Sequence, residues 1–234
     1  MHKNYLLTLM IGISIFGSFT TLMLAFYSPI TPDNFWRKPL IGSIFTLICI
    51  FGVLAVFFSE KCSKFFYMHK TEKPMKLKAK NLDSHGFSFK FKGHHIDCGR
   101  FSTHVICINN HIICAACAGL LLGALITLVG NFFYFFVGFD IGQLGLPIIL
   151  VGQIGILLGM IQFKFKGYLR LIVNTFFVIS SFLVLVGMDT LSKSAFIDLY
   201  TLLLIIFWLL TRILISQWDH WRICYTCNLH CKMK

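Results

Sequence analysis

Two short stretches of this 234-residue chain concentrate cysteine and histidine, the side chains best suited to metal or redox chemistry. The first stretch holds two pairs, His95 with Cys98 and Cys114 with Cys117. Two residues separate the members of each pair, and fifteen residues separate the pairs. Ligand pairs at this spacing are typical of tetrahedral zinc sites. The stretch therefore predicts a zinc-ribbon-like site in which a histidine replaces one cysteine.

The residues between the pairs predict a β-hairpin. Asn109 and Asn110 stand between two apolar segments, and asparagine tolerates the positive φ angles that a tight hairpin turn needs. A hairpin here would bring the two ligand pairs together. Spacing and turn chemistry thus favour the same small module.

The second stretch lies near the C-terminus and leaves two further possibilities open. It contains Cys224, Cys227, His230 and Cys231. These residues are candidates for a second zinc site, completed by side chains such as His104, Cys107 or His220. Alternatively, Cys224 and Cys227 join Cys114 and Cys117 in a single site that ties the third membrane helix to the sixth. The local site is predicted first because closing its shorter loop costs less chain entropy, and one or two zinc ions are expected.

Cys114 and Cys117 also have a redox interpretation, because a helix N-terminus lowers the pKa of a thiol. However, a thioredoxin-like pair is expected in a βαβ unit, and thiols on the cytosolic side of a membrane stay reduced. A catalytic zinc would need an open position and a nearby base. The nearby acids are Asp97 and Asp219, and the chain has no His-Glu-x-x-His sequence. We therefore expect a structural zinc and predict no catalytic residue, which weighs against an enzyme.

The elements that position these residues are membrane helices. The chain is 57% hydrophobic and 13% charged, whereas soluble domains are about 25% charged. Six apolar runs are long enough to cross a bilayer, and they span residues 5–32, 39–59, 112–139, 141–163, 171–188 and 195–215. An all-α polytopic membrane protein is predicted. Helices one and two occupy 1–59, a basic loop with the ribbon occupies 60–111, helices three to six occupy 112–215, and a cysteine-rich tail occupies 216–234.

The basic residues predict the orientation. Of the 21 lysines and arginines, 18 fall in the termini and in the loops that share their side. Because cytoplasmic segments carry the excess of positive charge, both termini are expected in the cytoplasm of a cell-membrane protein. The bilayer, with its anionic lipids, is the main partner expected. Nucleic acid is not expected, because the basic run at 69–80 lacks interleaved aromatic residues.

Polar and small residues inside the helices are the remaining signals. Polar groups in lipid are suspected of function, and they are Asn131, Gln153, Asn174, Asp198 and Arg212. Arg212 is predicted to snorkel to the inner surface, with Asp198 about one turn from the outer one. The pairs Gly119 with Gly123 and Gly155 with Gly159 predict close helix packing inside the bundle, and an oligomer interface is the alternative.

The stretch Cys114-Ala115-Ala116-Cys117-Ala118-Gly119 follows a His/Cys-rich segment and opens a glycine-spaced helix. It resembles the Cys-Ala-Arg-Cys-Thr-Gly motif of an uncharacterised family of multi-pass prokaryotic membrane proteins. Ala116 stands in place of the family's arginine, and Ala118 in place of its threonine. The resemblance covers this motif and its approach, and it implies no activity.

Three functions follow as hypotheses. The first is a scaffold or interaction protein whose zinc-held module docks a cytosolic protein. The second is a transporter or metal-handling permease. The third is a membrane thiol oxidoreductase that uses Cys114 and Cys117.

Overall fold

A computed structural model describes residues 2–27, 35–57, 104–108 and 111–225 of the chain. Its helices are α1 (His2–Tyr27), α2 (Arg37–Phe57), α3 (Ala115–Asn131), α4 (Gly145–Met160), α5 (Gly167–Ser192) and α6 (Ala195–Tyr225). Together with the short helical turns that extend α3 and α4, all six are long and apolar enough to cross a membrane. In lipid a helix satisfies its own backbone hydrogen bonds, so these uncharged runs fold as predicted. The multi-pass prediction is confirmed.

A short hairpin precedes α3. Strands β1 (Val105–Ile108) and β2 (His111–Cys114) pair in antiparallel register, with Val105 opposite Cys114 and Ile108 opposite His111. Ile106 on β1 is buried. The predicted turn at 109–110 and the first ligand pair of the predicted zinc ribbon lie outside the described residues, so the structure does not show the ribbon as such.

Irregular turns shape the helix ends. A π-helical segment, Phe132–Val137, extends α3 and ends at Gly138, whose φ of 86° is in the left-handed region that glycine adopts without strain. A 3₁₀ turn, Gly142–Leu144, leads into α4, and a second one, Gln162–Lys164, follows it. The second 3₁₀ turn contributes Gln162, whose side chain accepts a hydrogen bond from Arg212.

Helix α5 is the centre of the bundle, and glycines let α3 and α4 approach it. A Cβ atom on Gly119 of α3 would lie 2.4 Å from the Leu171 carbonyl oxygen, and one on Gly155 of α4 would lie 1.8 Å from Ser180 Oγ. The predicted packing role of the two glycine pairs is therefore confirmed. Backbones this close gain dispersion contacts, which drive helix association in lipid.

The other three helices, α1, α2 and α6, make polar contacts within the bundle. Trp208 Nε1 of α6 donates to the Ser14 carbonyl oxygen of α1 at 3.3 Å, and Ser14 Oγ donates to Thr211 Oγ1 at 3.0 Å. Asn131 Nδ2 donates to the Gly42 carbonyl oxygen of α2 at 3.0 Å. Asn131, one of the polar residues noted in the sequence, thus joins α3 to α2. We call the end of the bundle at Cys114 the thiol end, and the opposite end, at Asp189 and Asp198, the carboxyl end.

Candidate metal centre

Two thiols meet where the hairpin runs into α3. Cys114 is the last residue of β2, and Cys117 lies in the first turn of α3. Both side chains are partly buried, and both thiols are free. Because β2 passes directly into α3, the strand and the helix together fix the two sulfur atoms relative to each other. The pair therefore straddles a strand–helix junction.

Polar groups surround the Cys114 sulfur. The pKa of Cys114 is lowered to about 6, and the neighbouring Cys117 thiol is the main cause. Burial opposes this shift, while the nearby backbone N–H groups of Cys117 and Ala116 and the charge of Arg170 assist it. The thiolate is the form that binds metals and attacks disulfides. The surroundings of Cys114 therefore favour its thiolate form.

Arg170, near the start of α5, brings one positive charge to the thiol end. Its side chain is 1% exposed. The Arg170 Nη1 atom lies 3.0 Å from His104 Nδ1 and 3.8 Å from Asp219 Oδ2. His104, just before β1, is itself buried. The contact attaches the base of the hairpin to the bundle through α5.

Arg212 of α6 brings a second buried positive charge, and its partners are neutral. Its Nε atom donates to Asn174 Oδ1 at 2.9 Å, and its Nη2 atom donates to Gln162 Oε1 at 3.0 Å. Asn174 Nδ2 in turn donates to the Arg170 carbonyl oxygen at 2.6 Å. Among the residues that the structure describes, no carboxylate lies within ion-pair distance of Arg212. The charge of Arg212 instead interacts with both thiols.

Among the described residues, the buried charges at the thiol end leave a positive excess before the thiols are counted. Arg170 and Arg212 contribute two positive charges and the buried Asp219 one negative charge. Arg222, whose Nη2 lies 3.1 Å from Asp219 Oδ1, has a side chain that is 52% exposed, so water screens its charge. Buried charge without compensation is costly. One unit of negative charge is therefore missing at this site, and sulfur can supply it.

The structure brings together only part of the predicted ligand set. Cys114 and Cys117 adjoin, and Cys224 lies in the last turn of α6, which returns to the thiol end. Outside the described residues lie His95, Cys98, Cys227, His230 and Cys231. Within the described ranges, no group of three or more His, Cys, Asp or Glu side chains is placed to hold a metal ion. Any such site must draw its further ligands from segments beyond those ranges.

Sequence reasoning missed the two buried arginines. Arg170 lies just outside the predicted apolar run 171–188, so it was not expected inside the bundle. Arg212 was predicted to snorkel, but it is 4% exposed, so that prediction is wrong. The sequence does contain a signal for a polar helix face at this end, because Arg170 and Asn174 are four residues apart and share a helix face.

Comparisons with protein-family models, curated proteins and solved structures gave no match. The role of this site is therefore inferred from its geometry.

Proposed function

We propose that this chain is a membrane-embedded scaffold or interaction protein in which a structural zinc closes the cytoplasmic end of the helix bundle. The proposed ligands are His95, Cys98, Cys114 and Cys117. The observation that carries the proposal is the placement of two thiols at a strand–helix junction beside two buried guanidinium groups. Zinc–thiolate centres are anionic when cysteine predominates among the ligands, and this environment is positive.

The chemistry of the donor set fits zinc. The lowered pKa of Cys114 favours its thiolate, and Cys117 lies in the first turn of α3, at the two-residue spacing that zinc-binding pairs use. A structural zinc has four protein ligands and no open position. The ion would supply folding free energy to the hairpin module. A stable module at this end of the bundle would then be a platform for a cytosolic protein.

Charge balance favours the local ligand set over the clamp with Cys224 and Cys227. Zinc with three thiolates and one neutral imidazole carries one net negative charge, which cancels the single positive excess left by Arg170, Arg212 and Asp219. Zinc with four thiolates carries two net negative charges, so one of them would have no compensating positive charge. A separate zinc site in the tail, with His230 and Cys231, is compatible with either count.

The first test is the metal content per chain of detergent-purified protein, wild type beside Cys114→Ser and Cys224→Ser. We expect one zinc that Cys114→Ser loses and Cys224→Ser keeps. Two zinc ions, with one lost in each variant, would support the same local site plus one in the tail. One zinc that both variants lose would overturn the local set in favour of the clamp. No zinc in folded, reduced protein would overturn the zinc proposal.

The adjacency of the two thiols and the lowered pKa of Cys114 favour a second candidate function, thiol–disulfide exchange. The Cys114 thiolate would attack a substrate disulfide and release one substrate thiolate. The Cys117 sulfur, after losing its proton, would then displace the second thiolate and leave a Cys114–Cys117 disulfide. Alkylation in intact cells separates the two candidates: a zinc-held pair resists alkylation until chelator is added, whereas a redox pair does not need chelator.

The permease alternative makes a separate prediction. In proteoliposomes, a metal-handling permease would carry zinc across the bilayer, whereas a structural site would retain its zinc without flux. We expect no zinc flux above that of empty liposomes. The matched control is Cys114→Ser, which must show the same background.

A further inference from the structure

A second group of buried charges lies at the carboxyl end, opposite the thiols. Arg37 is the first residue of α2, Asp189 lies in the last turn of α5, and Asp198 lies in the first turn of α6. Arg37 is 3% exposed, and both aspartates are 0% exposed. Three helices therefore place one guanidinium and two carboxyl groups out of contact with solvent.

Both carboxyl groups use the same donor. Arg37 Nη1 donates to Asp189 Oδ1 and, at 2.5 Å, to Asp198 Oδ2. The two carboxyl groups are also within hydrogen-bonding reach of each other. Two carboxyl groups can form a hydrogen bond with each other only if one of them carries a proton, because an ionised carboxylate has acceptors and no donor.

The outer oxygens of the pair have different surroundings. Tyr134 O–H donates to Asp189 Oδ2 at 2.7 Å, so this oxygen has a donor of its own. Asp198 Oδ1 is buried and has no hydrogen-bond partner among the described residues. An ionised carboxylate oxygen without a donor in a buried site is costly. The missing donor at Asp198 Oδ1 is therefore a second argument, independent of the shared guanidinium, against a fully ionised Asp198.

The other charged groups that the structure describes near this end are partly or fully open to solvent. Lys38 of α2 is half-buried, and its Nζ lies 4.9 Å from the centre of the Tyr134 ring. Lys193, which follows α5, and Asp140, which follows the π-helical segment, are exposed. Among the buried groups in the described ranges, therefore, two carboxyls face one guanidinium. One unit of negative charge is in excess if both aspartates are ionised.

We propose that Asp189 and Asp198 form a proton-binding site, in which one proton is shared between the two carboxyl groups and Arg37 balances the single remaining negative charge. Two buried carboxylates that share one donor repel each other, and a proton on one of them removes this repulsion. The ligand of the site is a proton, taken up at the end of the bundle opposite the thiols. The site does not depend on zinc.

The test is infrared spectroscopy of the full-length protein in lipid nanodiscs at neutral pH. The carbonyl stretch of a protonated carboxylic acid is separate from that of a carboxylate, so wild type should show this band. Asp198→Asn and Asp189→Asn should each remove it, because each leaves one carboxylate for one guanidinium. Asp140→Asn, at an exposed position, should leave it intact.

Several results would overturn the proposal. Both aspartates would be ionised if wild type lacked the band. The same would follow if Asp219→Asn removed the band while Asp189→Asn and Asp198→Asn kept it.

Thermal unfolding supplies a second measurement. Asparagine mimics a neutral carboxyl group, so at least one of the two variants should unfold at the wild-type temperature. Lower unfolding temperatures in both variants, together with no band in wild type, would identify Asp189 and Asp198 as plain counter-ions of Arg37.

Discussion

Arg212 is a buried cation whose hydrogen bonds go to two amide side chains on two other segments of the bundle. Replacing it by methionine keeps the length of the side chain and removes all donors. Asn174 Oδ1 and Gln162 Oε1 would then lose their partner. We expect Arg212→Met to lower the free energy of unfolding by about 1–3 kcal/mol for each oxygen left without a donor. Denaturant unfolding in mixed micelles measures the loss.

Arg222→Met is the matched control for Arg212→Met, because both residues lie on α6. The Arg222 side chain is 52% exposed, and Asp219 keeps Arg170 as a partner after the change. We expect little loss of stability, as for most exposed ion pairs. Equal effects of the two substitutions would show that the hydrogen bonds of Arg212 do not stabilise the fold, as expected for a snorkelling side chain.

At the residue scale, the sequence predicted where sulfur lies better than where charge lies. The spacing of Cys114 and Cys117 is a local pattern, and the structure places them side by side. The burial of Arg212 depends on Asn174 and Gln162, which are distant in the chain. A basic residue near a helix end has the same sequence signature whether it snorkels or is buried. The same ambiguity applies to Arg37, which lies between the predicted apolar runs 5–32 and 39–59 but is buried in the structure.

At the element scale, the contact of α3 with α5 depends on the absence of a side chain. A Cβ on Gly119 would lie 2.4 Å from the Leu171 carbonyl oxygen and 2.9 Å from Asn174 Cβ. The backbone cannot move aside as a flexible side chain would, so the helices must separate. We expect Gly119→Ala to lower the free energy of unfolding by about 1–3 kcal/mol, as overpacking does in close-packed cores. Thermal or denaturant unfolding in micelles measures it.

Gly12→Ala is the control at the element scale. Gly12 lies on α1, and a Cβ there would have no atom within 4 Å outside its own helix. Stability should stay at the wild-type value or rise slightly, since alanine has the higher helix propensity. If both substitutions had the same effect, helix propensity and not the contact with α5 would decide the outcome.

Helix number and type could be predicted because lipid allows few backbone structures. Uncharged runs of sufficient length become spanning helices, and the six spans confirm this. The choice of α5 as the central helix could not be predicted. It depends on glycines of α3 and α4 that both face α5. A glycine pair predicts that another helix packs closely, but it does not identify that helix.

At the scale of the whole molecule, α5 connects the two groups of buried charge. Arg170 and Asn174 lie near its start at the thiol end, and Asp189 lies in its last turn at the carboxyl end. Counted over the buried side chains that the structure describes, the thiol end has one positive charge in excess. The carboxyl end, counted in the same way, has one negative charge in excess before a proton is counted. An anionic sulfur at one end and a proton at the other would balance these two excesses. Hydropathy alone cannot show this, because a few buried charges barely change the mean of a long apolar run.

The axis of the molecule also has a predicted direction across the membrane, and labelling of introduced cysteines tests it. Segments on the thiol side and the termini hold 18 of the 21 basic residues, and positive segments stay in the cytoplasm. Lys166, before α5, and Ala195, at the start of α6, are exposed positions at opposite ends of the bundle. A membrane-impermeant maleimide should label Ala195→Cys in intact cells, but Lys166→Cys only after permeabilisation.

The control is wild type, which should stay unlabelled in intact cells, since its Cys-rich segments face the cytoplasm in this orientation. Labelling of Lys166→Cys but not Ala195→Cys from outside would invert the topology and place the thiols in an oxidising compartment. In that compartment a disulfide between Cys114 and Cys117, and not a zinc site, is the state that the chemistry favours.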